Sequence, residues 1–253
     1  GMGRPRRILT LLLSAWVAGS ASATDAALTL GRTERWKGMV DRQGVRTEAG
    51  RWGELDLVLA DAAYEATADT DLLLHLDGAP IADAAGRYDV EASAPELSTS
   101  AKVYGAASAA FVTPRSAIRL HPRRGALFAA GTMWQDFSIE FWLYPASLAD
   151  GETVLSWSGT SVRDGKVEEQ LFSVTVSGRR LVFSMQNLFR GGVASSIQLR
   201  GLQRLLPRQW HHHLLRFDSR TGLLEYLVDG VPEATAYATS TGRDGGSIAL
   251  PVV

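Results

Sequence analysis

The stretch that decides the fold runs from Phe137 to Pro145 and reads Phe-Ser-Ile-Glu-Phe-Trp-Leu-Tyr-Pro. Its side chains fall into two alternating sets that would lie on opposite faces of a strand. One set is Phe137, Ile139, Phe141 and Leu143; the other is Ser138, Glu140, Trp142 and Tyr144. Successive side chains of a β-strand point to opposite faces, and this period of two therefore predicts a strand with one face in an apolar core.

Two hairpins are predicted after this strand. Ser177-Gly178-Arg179 separates the apolar runs 171–176 and 181–185, and Asp229-Gly230 separates 223–228 from 231–237. Glycine and Asp-Gly pairs supply the positive φ angles that tight reversals need. The alternating run 71–77 predicts an earlier strand. Helical period is almost absent, with 61–68 the best short helical candidate, so the sequence predicts an all-β antiparallel sandwich or barrel.

Three segments in a fixed order carry a family resemblance. They are Phe137–Pro145, Trp210–Asp218, which begins Trp-His-His-His, and Leu224–Gly230, which ends in Val-Asp-Gly. Together they resemble concanavalin A-like and laminin G-like jelly rolls over residues from about 55 to the C terminus. The resemblance implies an antiparallel jelly-roll β-sandwich, and we expect Trp142 and Trp210 to lie in its core.

The same resemblance implies a further strand. Related domains normally continue past the position of Leu250 into a final strand that closes the sheet. We therefore expect domain 55–253 to be C-terminally incomplete, lacking its last strand or strands, with Leu250–Val253 left as an unpaired apolar run.

Residues 1–23 have the pattern of a signal peptide. Arg4, Arg6 and Arg7 precede an apolar run over 8–19, and Ala21-Ser22-Ala23 is a small-x-small cleavage pattern. The run is shorter than the ~20 residues that a membrane-spanning helix needs. We expect a secreted, periplasmic or cell-surface protein without stable membrane insertion after cleavage, in which residues 24–54, charged and rich in glycine, form a loosely ordered lead-in.

Composition excludes several function classes. Lys+Arg 26 against Asp+Glu 27 gives a net charge of -1, which disfavours nucleic acid as a partner. The absence of cysteine excludes disulfides, thiolate nucleophiles and cysteine-ligated zinc. The sequence also lacks the G-x-S-x-G, H-E-x-x-H and phosphate-loop patterns of common enzymes.

These observations favour a non-catalytic recognition module that binds a glycan or an extracellular or envelope protein through rim loops or the concave sheet. Aromatic rings stack on sugars, and amide or guanidinium groups bond to hydroxyls. The candidate ligand-binding residues of these types are Trp134, Gln135, Trp157, Asn187, Phe189 and Arg190. An envelope structural or protein-contact module is the alternative.

A divergent glycoside hydrolase is a weaker alternative. Glu54-Leu55-Asp56 begins the pattern of retaining glucanases, E-x-D-x-E with or without one bulged residue, but Val58 and Leu59 occupy the places of the second glutamate. His211 and His213 share a strand face and could chelate a metal, although no acidic residue follows before Asp218. We predict no catalytic residues, metal or cofactor and leave calcium open at four loose rim candidates: Asp150, Glu152, Asp164 and Asp244.

Overall fold

A computed structural model of the chain describes residues 63–93, 95–190 and 196–253, together with the backbone of four earlier strands. The strands are β1 (Arg7–Ser14), β2 (Ala27–Leu30), β3 (Val45–Ala49), β4 (Leu55–Leu59), β5 (Thr70–Leu74), β6 (Tyr88–Ser93), β7 (Glu96–Ser98), β8 (Ser108–Ala110), β9 (Ala117–Pro122), β10 (Phe137–Leu143), β11 (Thr153–Arg163), β12 (Lys166–Ser177), β13 (Arg180–Gln186), β14 (Phe189–Arg190), β15 (Ser196–Arg200), β16 (His211–Asp218), β17 (Leu223–Val228), β18 (Val231–Tyr237) and β19 (Leu250–Pro251).

No helix occurs in the described residues, and the predicted short helix over 61–68 is wrong, because 63–67 are irregular and 68–69 form a turn. Two turns of an alanine-rich sequence cannot offset the cost of helix nucleation without a packed apolar face.

Two sheets form the body of the domain. The larger has eight strands in the order β18-β17-β16-β10-β1-β8-β7, with β5 paired to β1 off this path. The smaller has four strands in the order β11-β12-β13-β15. Pairing is antiparallel throughout these two sheets except at β1, which runs parallel to β5, β8 and β10.

The core lies between these two sheets. Phe141 of β10 faces Phe183 of β13 with ring centroids 6.5 Å apart, and Phe183 contacts Tyr226 of β17 at 4.6 Å. All three side chains are at most 1% exposed. Rings from both sheets therefore interdigitate in one apolar layer, which confirms the predicted all-β sandwich.

Both predicted hairpins are present. β12 and β13 are joined through Gly178 and Arg179, whose φ angles are 57° and 61°. β17 and β18 are joined through Asp229 and Gly230, with φ angles of 49° and 80°. Two successive positive φ angles give the type I′ reversal that matches the twist of the flanking strands.

The expectation that Leu250–Val253 is unpaired is wrong. Strand β19 pairs with β14, and the Val253 amide donates to the Thr132 carbonyl at 3.1 Å. The Gly131 amide in turn donates to the Val253 carbonyl at 2.7 Å. The loop before β10 and the short strand β14 thus supply partners that local sequence could not reveal.

The segments before residue 63 are described as backbone strands alone. β2, β4 and β3 form a three-stranded sheet within and just after the predicted lead-in 24–54. Apart from Arg7–Ser14, the predicted signal peptide 1–23 lies outside the described residues, as does Glu54. Within the described part of the chain, no helix is long and apolar enough to span a bilayer.

Candidate functional site

The outer face of the four-stranded sheet presents hydroxyl and amide side chains. Their strand neighbours Phe172, Phe183, Met185 and Leu199 point into the core, so these polar residues point outward. We call this surface the hydroxyl–amide face. Its members are Ser156, Ser158, Thr160, Ser173, Thr175, Ser184, Gln186, Ser196 and Gln198.

The strand register arranges these groups in rows. Ser156 of β11 lies opposite Ser173 of β12, which lies opposite Ser184 of β13, which lies opposite Gln198 of β15. Strands pair ~4.8 Å apart, so this central row spans about 14 Å. Gln198 Nε2 donates to Ser184 Oγ at 3.2 Å, which leaves its amide oxygen and the serine proton available to an external partner.

Charge is scarce on this face. Glu169 lies opposite Thr160 near one end, and two arginines lie beyond the central row at the other end: Arg200 opposite Val182, and Arg180 opposite Ser177. Valine and leucine side chains fill the remaining positions, as at Leu171, which is half-buried between Ser158 and Gln186. The central row of the face is therefore an array of neutral hydrogen-bonding groups, with charged and apolar side chains toward its ends and between its polar members.

The three consecutive histidines of β16 have three different environments. His213 points into the core, is 1% exposed, and its Nδ1 lies 2.8 Å from the Tyr226 hydroxyl. Burial lowers the pKa of His213 to about 3, so the ring is neutral at pH 7. His212 points outward, and its Nε2 lies 3.0 Å from Glu140 Oε2.

His211 begins the strand and contacts the hairpin carboxylate of Asp229 at 2.7 Å. This hydrogen bond raises the pKa of His211. Burial opposes ionisation of Asp229, but its bonds to the His211 ring and the His212 amide outweigh it, and the pKa of Asp229 is lowered. Each histidine thus has its own hydrogen-bond partner, and the three rings do not converge on a shared point where they could bind a metal ion together.

All four strands of the smaller sheet, and β10, β16, β17 and β18 of the larger one, fall within one recognisable family unit. A laminin G-like family model, described as the concanavalin A-like lectin/glucanases superfamily, matches residues 124–250. The chain belongs to the concanavalin A-like lectin/glucanase superfamily. A search of curated proteins found no match for this chain. Because the superfamily unites lectins and glucanases, its name fixes the fold, and the function must be argued from the site.

In this member of the superfamily, two of the predicted ligand-binding aromatics are core residues. Trp134 is 0% exposed, and its Nε1 donates to the Leu127 carbonyl at 2.6 Å. Phe189 is 5% exposed and meets Phe217 edge to face at 5.6 Å. Neither ring is accessible to a ligand, so the prediction that Trp134 and Phe189 are ligand-contact residues is wrong.

Trp157 has a packing role as well. It lies on the inner side of β11 with its ring centroid 5.6 Å from that of Phe128. Its ring also covers Gly159, where an added Cβ would stand 2.8 Å from two ring carbons. Trp157 is half-buried, so the sheet presents it toward the core edge rather than on the hydroxyl–amide face.

The remaining predicted residues lie on connections. Asn187 has a φ of 54° and donates from Nδ2 to the Glu169 carbonyl at 2.8 Å, which anchors the end of β13. Arg190 pairs through its backbone with Leu250 and is half-buried, as is Gln135. Asn187, Phe189 and Arg190 are brought together beside β19, but they form no shared hydrogen-bonding surface with Gln135 or Trp157 among the described contacts.

Local structure accounts for two of the loose calcium candidates. Asp150 Oδ1 accepts a hydrogen bond from the Gly178 amide at 2.6 Å, and Asp164 holds a positive φ in the β11–β12 turn. Among the described residues, no three histidine or carboxylate side chains gather as metal ligands. Glu54 and the side chain of Asp56, on which the hydrolase alternative rests, lie outside the described residues.

Sequence reasoning also misplaced Trp142 and Trp210. Trp142 is on the outer side of β10, within 5.3 Å of His212 and 6.1 Å of Tyr104, and Trp210 is half-buried beside Tyr144. Alternation itself contained the signal for Trp142, because Phe141 and Leu143 already occupy the core face. The hydroxyl–amide face was missed for a different reason, since its members are dispersed over 156–198.

Proposed function

We propose that this domain is a secreted, non-catalytic recognition module that binds a glycan through the hydroxyl–amide face. The observation that carries the proposal is the cross-strand row of Ser156, Ser184 and Gln198, in which Ser173, only 9% exposed, lies between Ser156 and Ser184. Proteins bind sugars largely through hydrogen bonds between side chains and sugar hydroxyls, and this row offers donors and acceptors at strand spacing.

Low charge supports a neutral ligand. A charged partner would be matched by groups of opposite sign, whereas the central row contains none. Serine and threonine hydroxyls donate and accept with freely rotating protons, so an array of them suits a ligand that presents many hydroxyls. Each bond contributes only about 0.5–1.5 kcal/mol, and we therefore expect weak binding that strengthens with a polymeric ligand.

Three strand carboxylates support a non-catalytic role because they have structural partners. Glu225 accepts from Arg216 Nε at 2.7 Å, and Glu140 lies 3.0 Å from His212. Glu233 accepts from the backbone amides of Leu202 and Gln203 at 2.7 and 2.8 Å. A retaining glycosidase instead needs two carboxyls facing one sugar across about 5 Å.

Affinity electrophoresis tests the proposal. The protein is run in native gels containing soluble β-glucan, xylan or α-glucan, and on a glycan array. We expect retardation by at least one polysaccharide, lost in Ser184→Arg, which places a long cation in the central row. Ser138→Arg is the matched control, because Ser138 is an equally half-buried outward serine on the other sheet.

Ser138→Arg should retain binding, and both variants should keep the wild-type circular dichroism and melting temperature. Equal binding by Ser184→Arg and wild type, or no retention on any glycan, would overturn the proposal.

A protein-contact role has one specific observation in its favour. Val162 and Val167 lie opposite each other at the tip of the β11–β12 hairpin and are 62% and 72% exposed. Exposed apolar pairs are typical of contact sites between proteins. This alternative predicts no sugar signal and a partner whose retention is lost in a Val162→Ser, Val167→Ser double variant.

A further inference from the structure

We propose that the loop 201–208, which joins β15 to β16, docks onto the surface of an anionic membrane. We call this segment the basic loop, and its sequence is Gly-Leu-Gln-Arg-Leu-Leu-Pro-Arg. Leu202 is 71% exposed and Leu206 is 50% exposed. Large apolar side chains held in water beside cations are typical of segments that insert at the boundary between lipid headgroups and acyl chains.

The backbone of the basic loop is anchored to the body of the domain. Leu205 lies between the two exposed leucines, is 6% exposed and packs in the core, and its amide donates to the Arg179 carbonyl at 2.7 Å. The Arg208 amide donates to the Pro145 carbonyl at 2.8 Å. Glu233 accepts from two further amides at the start of the loop. Docking therefore costs little ordering of the loop, because its conformation is already fixed.

Five arginines surround the exposed leucines: Arg179, Arg180, Arg200, Arg204 and Arg208. Arg180 Nε donates to the Leu202 carbonyl at 3.0 Å, which places a guanidinium beside that leucine. A Cβ on Gly178 would stand 2.8 Å from a guanidinium nitrogen of Arg200 and 3.9 Å from one of Arg180. The β12–β13 turn and the basic loop thus bring cations from separate elements to one end of the four-stranded sheet.

Carboxylates do not pair with these cations. Among the described residues, none of the five arginines forms an ion pair. The carboxylates of this region are bonded elsewhere: Asp150 and Glu233 accept from backbone amides, and Glu152 accepts from the Ser147 hydroxyl. Guanidinium groups match phosphate oxygens in a bidentate geometry. The positive charge is therefore available to anionic lipid headgroups.

The exposed leucines favour a membrane over a soluble polyanion. A polyanion would pair with the arginines but leave Leu202 and Leu206 in water, whereas a bilayer covers the apolar and the charged groups together. The basic loop follows the end of β15, so docking there leaves the hydroxyl–amide face open to solvent. Membrane docking is thus independent of glycan binding and adds a second contact to the domain.

Co-sedimentation of the full chain with lipid vesicles tests the proposal. The vesicles are phosphatidylcholine alone or phosphatidylcholine with about one-third phosphatidylglycerol. We expect the wild type to sediment with the anionic vesicles only, and less so at high salt. Leu202→Asp with Leu206→Asp, and separately Arg204→Glu with Arg208→Glu, should each lower the partition coefficient about tenfold or more.

Two double variants serve as matched controls. Val162→Asp with Val167→Asp changes exposed apolar residues at the other end of β12 from the β12–β13 turn. Arg115→Glu with Arg243→Glu reverses two exposed arginines on other loops. Both controls should sediment like the wild type.

Residues 1–23 are common to every variant, so binding through their apolar run would not respond to substitutions in the basic loop. Several results would overturn the proposal: no sedimentation with anionic vesicles, equal sedimentation of the wild type and both basic-loop variants, or an equal loss in the controls. A loss confined to the arginine variant would overturn it as well, because it would identify a site for polyanions rather than for a bilayer.

A fluorescent label reports insertion of the basic loop directly. The sequence contains no cysteine, so Leu206→Cys provides a single attachment point for nitrobenzoxadiazole, a dye that brightens and shifts to the blue in an apolar environment. We expect this change on addition of anionic vesicles, and no change for the same dye on Val162→Cys. Unchanged emission from the label at position 206, or equal changes at both positions, would contradict insertion.

Discussion

The buried histidine of β16 makes the stability of this domain depend on pH. Burial lowers the pKa of His213 from its usual 6.5 to about 3. The unfolded chain therefore binds a proton below pH 6.5 that the folded chain does not accept. Stability is fully present above pH 6.5 and falls as the pH is lowered from there toward 3.

The magnitude follows from linkage. Between about pH 7.5 and about pH 5, the free energy of unfolding should fall by about 2 kcal/mol through His213 alone, at ~1.36 kcal/mol per pH unit below 6.5. Because pH 5 lies well above a folded pKa of about 3, this loss does not depend on its exact value. The neighbouring His211 has the opposite sign, since its raised pKa gives stability that is present below pH 6.5 and lost as the pH rises through the folded pKa.

Urea unfolding across this pH range measures both effects. His213→Gln introduces an amide that can hydrogen-bond to the Tyr226 hydroxyl but cannot titrate. The free energy of unfolding of this variant should therefore not show the fall of about 2 kcal/mol between pH 7.5 and pH 5, within the error of the linear extrapolation. His211→Gln is the matched control on the same strand and should keep the loss. Identical pH slopes in wild type and His213→Gln would refute the conclusion that His213 is buried and neutral.

Three further changes probe the supporting structure. Asp83→Ala should lower the free energy of unfolding by about 2–4 kcal/mol, because the Asp83 carboxylate accepts hydrogen bonds from the backbone amides of Leu73, Ala85, Arg87 and Tyr88 at 2.7–3.0 Å. Chemical denaturation measures this loss, and a loss below about 0.5 kcal/mol would show that the carboxylate does not stabilise the fold. Gly159→Ala should displace the Trp157 ring from its position over the strand and shift tryptophan emission to the red, whereas an unchanged spectrum would show that the ring does not lie there. Tyr226→Phe should cost about 1–3 kcal/mol by removing the hydrogen-bond partner of His213, which a thermal melt would report as a drop of several degrees; an unchanged melting temperature would be inconsistent with that bond.

Local patterns were sufficient for β5, β10 and the two tight hairpins β12–β13 and β17–β18, but not for short strands such as β14 and β19. Alternation in Phe137–Leu143 depends on neighbouring residues alone, and Asp229-Gly230 carries its turn geometry with it. The core could be assigned wherever alternation was followed strictly. Trp142 was misplaced because its size suggested burial, although its position in the alternation placed it on the other face.

The candidate site could not be predicted in the same way. Ser156, Ser173, Ser184 and Gln198 are each an ordinary polar member of a strand, and they form a row only through the register of four strands. The predicted aromatic contacts failed for the converse reason. Trp134 follows a turn that contains Gly131 and resembles a rim residue in sequence, but the rings of Phe128 and Phe137 pack against it and it is 0% exposed.

Chemical-shift mapping tests the central claim, that the hydroxyl–amide face binds a glycan, most directly. An oligosaccharide of the retained polysaccharide is titrated into isotope-labelled protein, and the backbone amides are followed by NMR. We predict saturable shifts clustered on Ser156, Ser173, Ser184 and Gln198, with Ser138 and Arg216 of the opposite sheet unchanged. Shifts confined to the loops or to the larger sheet would contradict the account.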